Sequence, residues 1–317
     1  MNTATEATSM FESLLTPQLA QNVFNMLVFP GFLAAFIIGF LYMGIVRKVS
    51  ARMQHRVGPP LWQPFFDFFK LLSKENITTR DATGALATLC PVVSFASLMT
   101  VALFIPIAGI PGLFSVEPIS FQGSLFVVLY FLIMSSVFFA VAGFAAGNPF
   151  ASLGSIRELT QLFAYEFPFV ISLVTLGIFT GFRIVPLFAL QLPFAFFAFL
   201  MGVLGKLSLP PFHIPDAEQE IVAGPTTEYS GPRLAMFELA KAAGFWVLIS
   251  LGAVLYLGAD SLLAFAVYSL ALLAVLIVFR VVFARLQIAQ AFRFYWFVVG
   301  PLALIDLARV LLGYYVM

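Results

Sequence analysis

The sequence predicts an all-α polytopic membrane protein of about eight transmembrane helices, with amphipathic interfacial helices in the connecting loops. Composition comes first: of 317 residues, 62% are hydrophobic and only 10% charged, against about 25% charged in a soluble domain. Second, the apolar residues fall into eight runs near the length of roughly 20 residues that crosses a bilayer. Third, the basic residues are sorted to one side of those runs. A net charge of +1 gives no reason to expect nucleic acid. One cysteine, Cys90, excludes an internal disulfide and a cysteine-ligated cluster built by this chain alone. With two histidines, His55 and His213, little is left for haem or zinc, so no cofactor is expected in this chain.

The runs lie at 24–46, 88–110, 124–146, 162–182, 186–205, 236–257, 260–279 and 294–314. Residues 1–23 carry Glu6 and Glu12 but no Lys or Arg, so the basic region of a secretory signal is missing. They are expected as an external segment before a single membrane domain, 24–317. The loops 47–87, 147–161, 206–235 and 280–293 hold thirteen of the sixteen Lys and Arg. The opposite side has Arg183 alone, while Lys241 and Arg309 fall within spans. Basic loops stay in the cytoplasm, which puts both termini outside.

In the first loop, Gly58–Pro59–Pro60 stops a helix. Beyond it Trp62, Phe65, Phe66, Phe69 and Leu72 recur at helical spacing, with Asp67, Lys70 and Lys74 on another face. That pattern is an amphipathic helix at the membrane interface. Its aromatic face is expected either to anchor in lipid or to wall a cavity or hold a partner.

At 147–166, Ser155 and Glu158 have the spacing of a capping box, which makes Ser155 the expected start of a helix. Glu158, Gln161 and Tyr165 would share a face of that helix, and Glu166 would stand about two turns into the membrane. A lone intramembrane carboxylate is a functional hypothesis by default. For Glu158, a plain cap beside Arg157 is an equal alternative.

The stretch Lys206–Lys241 holds Asp216, Glu218, Glu220, Glu228 and Glu238, five of the fifteen carboxylates, and His213. Pro210, Pro211 and Pro215 break the chain. From Asp216 a short helix is expected, with Asp216 and Glu220 facing together and carboxylates at its N-terminus. Acids this dense cannot all stay ionised in a dry setting, so proton handling is expected; a solvated loop binding a basic partner is the alternative. His213 reads as a relay or as a structural hydrogen-bonder. Glu238 and Lys241, three apart in the sixth span, are an expected ion pair. Asp306 and Arg309 have the same spacing near the outer end, where snorkelling is the simpler account.

The run PPFHIPDAEQEIVAGPTTEYSG resembles the signature of the H-type membrane subunit, subunit 1, shared by respiratory complex I and the membrane-bound group 4 NiFe hydrogenases. QHRVGPPLWQPFFDFFKLLSKE resembles that family's other signature. The likeness covers nearly everything beyond residue 25. GNPFASLGSIRE is similar to the hydrogenase-type members, and HIPDAEQEIVAGP to the archaeal membrane-bound hydrogenase and its sulfane sulfur reductase relative. The quinone-linked members usually carry an acid at the position of Lys206, an Asp at that of His213 and an acid at that of Lys241, so three positions depart from the quinone-linked pattern.

The resemblance implies a subunit in the plasma membrane of a prokaryote. It would couple ferredoxin-type electron transfer to H+ or Na+ translocation. The implied partners are hydrogenase-like large and small subunits, an iron–sulfur subunit and antiporter-like membrane subunits; 4Fe-4S clusters and a NiFe or related centre belong to those partners. Glu158, Glu166, Asp216, Glu218, Glu220, Glu228, Glu238, Lys241 and His213 are expected along the proton path. Arg56, Trp62, Asp67, Lys70, Arg157, Tyr229 and Arg233 are expected against the peripheral module. A quinone-binding subunit, an autonomous ion carrier and a passive anchor remain the alternatives.

Overall fold

A computed structural model describes residues 24–77, 79–80, 82–107, 123–184 and 191–313, leaving out the side chains of residues 218 and 219. Helix and irregular chain account for these residues. Seven helices are long and apolar enough to cross a membrane: α1 (Phe24–Met53), α3 (Gly84–Phe104), α4 (Ser124–Ala145), α5 (Pro149–Thr180), α8 (Gly231–Leu255), α9 (Leu262–Val282) and α10 (Ile288–Leu311). Between them lie α2 (Gln63–Leu72), α6 (Pro193–Lys206) and the four-residue α7 (Glu218–Ile221). The polytopic all-α class therefore stands. The expected segment 1–23 lies outside the described residues.

Helix α8 is the axis of the bundle. Its most apolar window is 78% buried, against 33% for α9 and α10, as a helix hydrophobic all round should be. It packs on α1, α2, α3 and α9, while α5 packs on α4, α6 and α10. Close approach of α1 to α8 depends on Gly39, where an added Cβ would meet the Ala242 carbonyl oxygen at 2.3 Å. Gly39 ends a π-helical turn, Ala35–Gly39, and a second such turn occupies Tyr295–Val299 in α10.

Two boundaries differ most from the sequence reading. Residues 147–161 are mostly the opening turns of α5, because Asn148 caps that helix by accepting from the Phe150 amide at 2.7 Å and Pro149 fits the first position. Ser155 is not a cap: its hydroxyl donates to Ala151 O within the helix. The fifth run is described as helix only from Pro193, and its 14 residues rise about 21 Å, less than a hydrocarbon core of about 30 Å. The start of that helix is met inside the protein by Asp306, fully buried, whose carboxylate accepts from Ala195 N at 2.9 Å. Asp306 also holds Arg309 at 2.8 Å, so it is a cross-helix cap as well as an ion-pair partner, and snorkelling does not describe it.

Candidate functional site

The expected basic loops meet at one end of the bundle. Thr79 and Thr83 donate to the carbonyls of Ala146 and Ala145, and the Ile77 amide donates to Ser230 Oγ. The next link is Glu220, which pairs with both Arg157 and Arg285 (3.0 Å to Arg285). Gly154 lets α5 sit directly on the 224–226 turn; an added Cβ there would lie 2.6 Å from the Gly224 carbonyl carbon.

Below this end a cavity of about 660 Å³ opens among α1, α3, α4, α5, α8 and the 206–226 segment. Its ionisable lining is Glu158, Asp216, Glu238, His213, Arg47, Lys206, Lys241 and Arg280. Leu98, Phe139, Leu209, Phe237, Phe245 and Leu248 supply apolar wall, and Ser94, Ser135 and Ser136 a hydroxylated patch.

Charge in the cavity is organised by two lysines. Lys206 ends α6, pairs with Glu166 of α5, and stands 5.3 and 5.5 Å from the Tyr165 and Phe169 ring centres. The two side chains are 4% and 10% exposed, and α6 is held in place by Gln161, which donates to Gly205 O at 3.0 Å, and by Tyr295, which donates to Met201 O at 2.8 Å. Lys241 of α8 lies 3.1 Å from Asp216 and 3.9 Å from Glu238, above the Phe139 ring. Glu158, 4% exposed, lines the cavity with no ion-pair partner among the described residues. One oxygen each of Glu158, Glu166 and Asp216, and the Gln161 amide oxygen, is buried without a donor among the described residues.

Several sequence expectations change here. Glu166 is not a lone carboxylate, since Lys206 neutralises it. Asp216 and Glu220 do not face together: the irregular chain at Asp216–Ala217 turns Asp216 onto Lys241 and leaves Glu220 exposed. The acid excess of the 206–241 stretch is offset by cations from elsewhere, Arg157 and Arg285. The hydrogen bond from Arg157, then the charge of Arg285, hold the Glu220 carboxyl below its ordinary value. Glu238 and Lys241 do pair, but Asp216 is the closer partner. His213 lines the cavity with Nδ1 2.8 Å from Ser208 O. Glu228 takes a hydrogen bond from Asn148, tying the loop to the start of α5. The side chain of Glu218 lies outside the described residues.

Of the residues expected against a peripheral module, Arg56, Trp62 and Lys70 are exposed, and Arg157 and Arg233 partly so. Asp67 is taken up by Arg47 at 3.4 Å and Gln63 at 2.8 Å. Tyr229 is turned inward, 7% exposed, donating to Ala142 O at 2.8 Å; burial pushes its phenol up, and it offers no surface to a partner. Sequence reasoning misses Arg47 and Arg280 as cavity residues. Their signal is position, each closing an apolar run, which also suits an ordinary interfacial anchor.

Fold and site together define a polytopic helical membrane protein with an internal, acid–base-lined cavity under a polar end. The comparisons specify the kind. The family described as NADH dehydrogenase matches residues 24–311. The H-type subunit of NADH-quinone oxidoreductase from Thermomicrobium roseum is 32% identical, over 87% of this chain and 94% of its own length. Its counterpart in Geobacillus kaustophilus is 31% identical, over 87% and 90%. Among solved structures, a chain of the membrane-bound sulfane sulfur reductase, an archaeal respiratory membrane complex, superposes with a TM-score of 0.80 at 24% identity, covering 92% of this chain and 99% of that one; this likeness speaks for the fold alone. The chain belongs to the NADH dehydrogenase family of H-type membrane subunits.

Proposed function

We propose that this chain is the membrane anchor and coupling subunit of a complex I-related respiratory complex. In this reading it joins ferredoxin-type electron transfer in a peripheral, hydrogenase-like module to H+ or Na+ translocation in antiporter-like neighbours. The polar end carrying Arg157, Glu220 and Arg233 is the docking face, on the cytoplasmic side of a prokaryotic plasma membrane. Partner subunits carry the 4Fe-4S clusters and the NiFe or related centre.

The observation that carries the proposal is the graded series of ionisable groups. It runs from exposed Glu220 and Arg157, through Asp216, Lys241, Glu238 and Glu158 around the cavity, to buried Glu166 and Lys206. Carboxylate oxygens without a protein donor require another hydrogen-bond partner, and water in a polar cavity can supply it, which is what a proton wire needs. Ionisable groups at membrane depth are costly and characteristically mark ion pathways. Proteoliposomes holding the intact complex test this. Glu158→Gln and Glu166→Gln should leave electron transfer running while the ion gradient falls severalfold. A normal gradient in both variants would defeat the coupling role.

A second reading, a quinone-binding subunit, is favoured by the cavity itself. Its volume is within the roughly 300–1,000 Å³ of small-molecule sites, its walls are largely apolar, and the bacterial relatives are named for quinone reduction. Inhibition of the purified complex by a quinone analogue supports this reading. Turnover indifferent to such compounds supports the hydrogenase-like or sulfur-reducing module.

A further inference from the structure

The outer half of α2 has a chemistry that coupling does not use. Its inner side is fixed, since Phe65 and Phe68 lie 5.4 Å from the Phe40 ring centre and 5.6 and 5.3 Å from that of Phe36. The outer side is a protruding ridge in which Trp62, Phe66 and Phe69, spaced i, i+4 and i+7, are 57%, 63% and 57% exposed. Asp67, the one carboxylate of α2, is already neutralised by Arg47. Lys70, one helical turn beyond Phe66, Lys74 just past the end of α2, and Arg52 at the end of α1 are exposed and have no ion-pair partner among the described residues. From Arg47 to Glu75 the chain carries six basic residues and two acidic ones.

We propose that this face binds the headgroups of anionic phospholipids. The aromatic ridge sits in the acyl region, and Lys70, Lys74 and Arg52 lie at the level of the phosphates. A separated aromatic row beside uncompensated cations is the arrangement of an interfacial helix on an anionic leaflet. A docked protein would be expected to bring carboxylates to the lysines and a pocket for the rings; a bilayer meets both demands with one surface. Trp62 and Lys70 are thereby assigned to lipid rather than to the peripheral module. The site is pinned to the cavity-bearing end, because Ser230 Oγ, just before α8, accepts from Ile77 N at 3.0 Å.

The test is native mass spectrometry of the intact assembly released from equimolar phosphatidylglycerol and phosphatidylcholine. The wild type should retain phosphatidylglycerol selectively. Each basic residue at an anionic surface contributes about fivefold, so Lys70→Gln with Lys74→Gln should lower that selectivity roughly 25-fold. Lys70→Arg with Lys74→Arg should keep it. Equal selectivity in the wild type and the Gln variant overturns the proposal. A second arm needs no charge variant: a photoreactive benzophenone residue in place of Phe66 should capture lipid, and capture of a protein subunit in its place overturns the assignment.

Discussion

Removing the amine of Lys206 is the sharpest perturbation the structure offers. Lys206→Met keeps most of the side-chain volume but strands Glu166, whose side chain is only 10% exposed. Breaking one partner of a buried ion pair costs about 3–5 kcal/mol, because the remaining charge has lost its counter-charge in a poorly solvated site. Loss of the cation from above Tyr165 and Phe169 adds about 1 kcal/mol. Replacing both partners, Lys206→Met with Glu166→Gln, removes the stranded charge, and such double replacements are often close to neutral. The single variant should therefore lose about 5 kcal/mol and the double no more than about 1–2, a coupling energy of at least about 3 kcal/mol. The assay is a double-mutant cycle on the unfolding midpoint in mixed micelles titrated with dodecyl sulfate. Equal losses in the single and double variants would refute the ion pair. Gradient formation gives an independent readout: if the pair is part of the coupling path, the double variant regains stability without regaining pumping.

Three further outcomes follow from particular contacts. Gly154→Ala places a methyl group 2.6 Å from the Gly224 carbonyl carbon; with backbone on both sides it should cost about 1–3 kcal/mol, whereas Gly84→Ala, with nothing within 4 Å, should leave the melting temperature unchanged. Asn148→Ala removes the α5 cap and the tie to Glu228; about 1 kcal/mol and faster amide exchange at 150–152 are expected, with Asn148→Asp restoring the cap but not the tie. Glu220 has a depressed value in the folded state, so its contribution is fully present above the ordinary value of 4.5 and is lost as pH falls through the lower, folded value. A spin label at exposed Val222, in a Cys90→Ala background, should keep its restricted mobility from pH 7 to 5 and gain freedom only below that range; Arg157→Gln should bring the release to higher pH.

How much of this was legible in the sequence depended on range. Hydropathy is local, and it located all seven long helices and the short α6. The amphipathic α2 was equally readable, because Trp62, Phe65, Phe66 and Phe69 are adjacent in sequence. The start of α5 is misplaced because Ser155 and Glu158 satisfy a local pattern that Asn148–Pro149 satisfies better seven residues earlier. The ion pairs were out of reach for a different reason. Lys206 finds Glu166 forty positions away, Lys241 finds Asp216 twenty-five away, and Arg285 finds Glu220 sixty-five away. Only the packing of α5, α6 and α8 with the 206–226 segment and the chain between α9 and α10 decides those partners, and no periodicity carries it. A count of acids in one stretch therefore pointed to a charge excess that the folded chain does not have.

That balance ranks the acids on the proposed reading. A proton entering at Glu166 or Asp216 would compete with a lysine already in contact, so exchange there requires Lys206 or Lys241 to move. Glu158 faces the same cavity between these pairs, with no cation within ion-pair distance among the described residues. Its protonation changes the charge of the lining without first breaking a contact, and the altered field reaches both lysines. Glu158 is then the group that should respond first to an event in the peripheral module, and Glu166 the group that responds only after Lys206 is released. The order is testable because the two steps have different requirements. In carboxylic C=O infrared difference spectra recorded on reduction of the complex, the band lost in Glu158→Gln should rise before the band lost in Glu166→Gln, and Lys206→Met should remove that delay. A Glu166 band that rises first in the wild type would show that the two acids act in the reverse order.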